Sequence, residues 1–82
     1  MQIFQNMDIL GRTAQVAVQH VPTLKRKYQL VNEASRLQAL VAVGGTSTES
    51  VAELTAALHR TMSRIQAINR KIQRENITVR FV

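Results

Sequence analysis

Between residues 51 and 72, Val51, Leu54, Leu58, Thr61, Ile65, Ile68 and Ile72 recur at alternating three- and four-residue steps. This is the spacing of one helical stripe, a heptad seam with a single polar interruption at Thr61. Thr46-x-x-Glu49 and Ser50-x-x-Glu53 precede it, each a capping-box pattern in which a hydroxyl accepts from a backbone N–H of the first turn. Glu49 and Glu53 then sit at the positive end of the helix dipole, and Arg70, Lys71 and Arg74 at its negative end. A helix over about 48–75 is roughly 40 Å long at 1.5 Å per residue. It cannot bury its seam alone, and in a chain of 82 residues little else is available to cover it.

Residues before the seam supply one partner. Gly44-Gly45-Thr46-Ser47 is the clearest break, since paired glycines take the left-handed conformation that closes a helix and Thr or Ser caps the next. Upstream, Leu24, Tyr28, Leu30, Val31, Ala34, Leu37 and Val41 form a wide apolar stripe opposite Lys25, Gln29, Asn32, Glu33 and Arg36. Pro22 suits the first turn of that helix and interrupts anything helical before it. Asp8 is placed to cap such an earlier segment, through Ala14, Ala17 and Val18.

The sequence thus predicts an all-α fold in a single domain. Its plan is an antiparallel helical hairpin with a first arm over about 8–43 broken near Pro22, a turn at 44–47, a second arm over about 48–75 and a short extended or β tail over 76–82. Few glycines, one proline and an apolar content of 45% with only 4% aromatics fit long aliphatic helices better than a turn-rich all-β chain. The tail follows Asn76, a helix stop. Its Ile77, Val79 and Phe81 alternate with Thr78 and Arg80, the period-two pattern of a strand. Because an isolated ribbon is marginal in water, the tail is expected to add to a sheet edge of another copy or of a partner. Gln2-Ile3-Phe4-Gln5 is a weaker strand candidate of the same kind.

Chemistry is sparse. There is no Cys, and His20 and His59 are the only histidines, so neither a nucleophile–base–orienter set nor a thiolate metal site is available. The histidines read as structural or solvated, and Glu49 and Glu53 as caps rather than a catalytic pair. Glu53 and His59 are six positions apart, which does not bring them to one ligating face, and no Gly-rich phosphate loop with its Lys is present. The expectation is no enzymatic activity, no cofactor, no metal and no small-molecule substrate. No apolar run is long enough to span a bilayer and the first residues lack the form of a secretory signal, so a cytoplasmic protein is expected, of a host cell or within a viral particle. The narrow aliphatic seam, without Trp, also argues against a membrane-surface helix.

Two function classes remain. The preferred one is an assembly protein that completes its core through a homo-oligomer or a larger protein partner. Its interface would use Leu54, Leu58, Thr61, Ile65, Ile68 and Ile72 of the second arm with Leu30, Leu37 and Val41 of the first. The alternative is a small nucleic-acid-binding protein. Eleven basic residues against five acidic give a net charge of +6, and Arg60, Arg64, Lys71 and Arg74 share one helix face while Lys25, Arg26 and Lys27 cluster on the other arm. The charge is divided equally between the halves on either side of the glycines, so there is no separate basic tail. A short basic hairpin with an extended C-terminus is similar in plan to small assembly subunits of phages and secretion systems. That likeness implies a structural or regulatory part of a virus or mobile element, and it assigns no residue a role.

Overall fold

The computed structural model describes residues 2–82. Its elements run β1 (Phe4–Ile9), β2 (Arg12–Ala17), a 3-10 turn (Val18–His20), α1 (Val21–Ala42), α2 (Val51–Arg74) and β3 (Arg80–Phe81). The strands form one antiparallel sheet in the order β1-β2-β3, with Phe4 opposite Ala17, Ile9 opposite Arg12 and Ala14 opposite Phe81. The chain is therefore not all-α. A β-hairpin comes first, where a helix capped by Asp8 was expected; Pro22 lies in the first turn of α1, as expected, but after a strand and a 3-10 turn rather than after an earlier α-helix.

The physical reason lies at Leu10 and Gly11. Both have positive φ, 51° and 83°, which is the two-residue turn whose twist matches paired strands. Asn-Gly is the usual signal for that turn, and Leu-Gly does not announce it. Once the chain reverses there, Met7 and Ile9 of β1 and Ala14 and Val16 of β2 alternate inward, although Ala14, Ala17 and Val18 alone have helical spacing. The tail also departs from expectation. It closes onto the free edge of its own chain's β2, and the Val82 amide donates to the Thr13 carbonyl at 3.0 Å. Ile77 is buried in the core under the sheet, and Val79 packs against it. Burying those side chains gives the tail a better place than a foreign sheet edge.

The helices begin and end on local signals. The Ser50 hydroxyl accepts from the Glu53 amide at 3.2 Å and caps α2, whereas Thr46 accepts from the Glu49 amide at 2.9 Å and organises the turn before it. α1 stops at paired backbone bonds: the Gly44 amide donates to the Val41 carbonyl and the Gly45 amide to the Leu40 carbonyl, with Gly44 at φ 90°. α2 ends on the same motif, with Asn76 at φ 51° in the glycine's place and Ile77 folded back against Ile72 through its amide. These stops aim α2 back along α1 and deliver the tail to β2.

The core is graded along the molecule. At the sheet end Ile9, Ala14, Val16, Leu24 and Ile77 are buried together, with Met7, Val21, Tyr28, Ile72 and Val79 around them. Beyond the sheet, only a single line between the helices is buried: Leu30 and Leu37 from α1, Leu54 and Thr61 from α2. The result is a narrow body of 52 × 25 × 15 Å with a Cα radius of gyration of 15.4 Å. A spherical domain of this length would have a radius of about 12 Å.

Candidate interaction surfaces of the helical arm

Past the sheet, α1 and α2 have only each other, so their contact has two open flanks. Side chains rotate by about 100° per residue along a helix, which assigns each position to a flank relative to the buried Leu30–Leu37 and Leu54–Thr61 lines.

One flank is apolar. It carries Val31, Ala34 and Val41 from α1 and Leu58, Met62 and Ile65 from α2. All are half-buried except Met62, which is 48% exposed. Thr55, Gln66 and Asn69 continue this flank on α2 and Gln38 on α1. Among the described residues, the charged side chain on this flank is Lys27, near the sheet end.

The opposite flank is a groove of about 420 Å³. Leu30, Leu37, Ala57 and Thr61 form its floor, and Arg26, Arg60 and Arg64 stand on its walls beside Gln29 and Glu33. The Thr61 hydroxyl donates to the Ala57 carbonyl at 2.9 Å within its own helix. That bond satisfies the one buried polar side chain of the seam. Glu33, the only acid at the groove, is held by Arg36 through bonds from Nη2 at 2.6 Å and Nε at 3.1 Å. This hydrogen-bonded fork keeps the Glu33 carboxyl below the usual carboxylate range and raises the Arg36 guanidinium, so the acid stays ionised and already matched. Among the described residues the ion pairs are Arg36–Glu33 and Lys71–Glu75, the latter at 3.9 Å. Arg26, Arg60 and Arg64 therefore face the groove without a carboxylate partner.

The structure divides the residues expected to form an interface. Leu54, Thr61, Leu30 and Leu37 are consumed by the contact between α1 and α2, and Ile72 joins the core below the sheet. Leu58, Ile65, Ile68 and Val41 remain half-buried. Met62, Val31 and Ala34 join Leu58, Ile65 and Val41 on the apolar flank. Val31 and Ala34 were read within the first arm's wide stripe, but Met62 lies off the heptad register and was missed. The expected basic set divides as well. Arg26, Arg60 and Arg64 come together across the groove. Lys25, Lys27 and Arg74 do not line it, and Lys71 is engaged with Glu75.

Elsewhere the surface offers less. A second depression of about 120 Å³ lies beside His20, between Phe4, Ala17, Asn76 and Thr78. Among the described residues no three His, Cys, Asp or Glu side chains lie close enough to hold a metal ion, and no helix is long and apolar enough to cross a membrane. Comparison of the chain with protein-family models, with curated proteins and with solved structures gave no match.

Proposed function

We propose that this chain is an assembly protein that self-associates through the apolar flank of its helical arm, α1 packing with α2 of a second copy into a four-helix bundle. The observation that carries this reading is surface area. The chain exposes 5863 Å². A compact monomer of 9.2 kDa would expose about 4,900 Å². The excess, about 900 Å², is close to the roughly 800 Å² that each partner contributes to a stable interface. It accompanies the narrow 52 × 25 × 15 Å shape of the molecule, and the aliphatic flank of the arm is almost free of charge.

A second copy suits this flank because a two-fold axis sets like apolar surface against like. The flank's low charge also lets copies of a +6 chain approach on this side, where their basic groups are fewest.

Sedimentation equilibrium over a concentration series tests the reading. The native chain is expected to show a multiple of 9.2 kDa, and Met62→Lys to return the monomer mass with native helicity. Met62 is the exposed apolar side chain of the flank, at 48%, so this substitution spares the core. A native chain still monomeric at about 1 mM, where even an association of about 4 kcal/mol would be visible, overturns the proposal.

A further inference from the structure

The groove on the other flank is a binding site of a different chemistry. We infer that Arg26, Arg60 and Arg64 grip the phosphodiester backbone of a nucleic acid strand laid along the groove between α1 and α2. The inference does not rest on self-association. The groove faces away from the apolar flank and is open in a single copy and in a bundle alike.

Three observations carry it. First, the guanidiniums converge from both walls without a carboxylate partner, while the one nearby acid is already bound to Arg36. Guanidinium forks bind phosphate oxygens in pairs, and such charge-assisted bonds are the strong ones. Second, Arg60 and Arg64 are one helical turn apart, about 5–6 Å between their β-carbons, and Arg26 stands across from them. This is a row with a facing contact rather than a closed cage, which fits successive phosphates of a strand better than one small anion. Third, no aromatic side chain lines the groove: Tyr28 packs on the sheet core, and Phe81 stacks under the Arg12 guanidinium at 4.2 Å. Bases therefore have no stacking platform, and recognition falls on the backbone, independent of sequence. The wider field agrees with a polyanion. The basic residues of α1 and α2 gather in the part of the arm nearer the sheet, at Lys25–Lys27 and from Arg60 to Arg74, so an anionic strand is attracted to that part, while Glu49 and Glu53 mark the far end.

The test is fluorescence anisotropy with a labelled oligothymidylate and with a labelled duplex, at 50 and 200 mM salt. Three phosphates neutralised give a log–log slope of about −2 for a single strand and about −2.7 for a duplex, a loss of roughly 20- to 40-fold in affinity between those concentrations. The double variant Arg60→Gln/Arg64→Gln should flatten the slope by about 1.4 on the single strand and about 1.8 on the duplex. Lys25→Gln/Arg74→Gln removes the same charge outside the groove and should leave most of the slope intact. All four side chains are exposed, so circular dichroism should show native helicity in both variants. Equal flattening by the two pairs would make the attraction a property of net charge and overturn the groove. Absence of oligonucleotide binding at 50 mM salt would overturn it too, as would binding that polyglutamate or tripolyphosphate matches in affinity and in dependence on Arg60 and Arg64.

Discussion

At the scale of single residues, the turns are where this fold is decided. Leu10 is 62% exposed and sits at φ 51°, so it bears the cost of a left-handed backbone with little packing in return. Leu10→Asn, which tolerates that conformation, is expected to stabilise the chain by about 1 kcal/mol and to raise the melting temperature by about 4–8 °C, read by a thermal scan at fixed concentration. Gly44 and Gly45 make a sharper pair. Both have positive φ, but a β-carbon at Gly44 meets open space, whereas at Gly45 it would stand 2.8 Å from the Glu49 carbonyl oxygen. Gly45→Ala should therefore lower the denaturation midpoint more than Gly44→Ala. Equal losses would place the whole cost in backbone conformation and none in the approach to Glu49.

At the scale of elements, what the sequence discloses depends on how local the cause is. The Ser50 cap, the glycine stop of α1 and the Asn76 stop of α2 are set by neighbours in the chain, and each is readable there. The β1–β2 hairpin is just as local but hidden, because Leu10-Gly11 lacks the usual turn residues and β2 contains alanines that also suit a helix. The groove is hidden for another reason. A helical wheel places Arg60 and Arg64 together, but Arg26 joins them only through the rotational phase of α1 against α2. Lys25-Arg26-Lys27 looks like one cluster in sequence. Successive residues point about 100° apart, however, so packing sends the three in different directions. The same grading ranks core substitutions. Leu24→Ala and Leu54→Ala remove fully buried side chains and should cost about 2–5 kcal/mol in chemical denaturation. Leu58→Ala removes a half-buried one. Its cost should rise with protein concentration if the apolar flank is covered by a second copy, because the lost contact then belongs partly to the association.

At the scale of the whole molecule, sheet and arm divide the work. The sheet gathers the larger buried cluster and both ends of the helical hairpin, while the arm, with its single buried line, carries two flanks of opposite character on one pair of helices. Self-association on one side leaves the other side's arginines facing outward, so a bundle of two copies would present grooves on opposite faces and could bridge two strands. The pairing of Ala14 with Phe81 has a further consequence, and it concerns time. The β-hairpin and the helical hairpin each join residues close in the chain, so the contacts within each can form early. β3 must wait for both, because its seat on β2 takes shape at the beginning of the chain and its own approach is set by the stop of α2 at the other end. The closing strand is thus the last piece to arrive in folding, and the first to lift away when the native protein breathes.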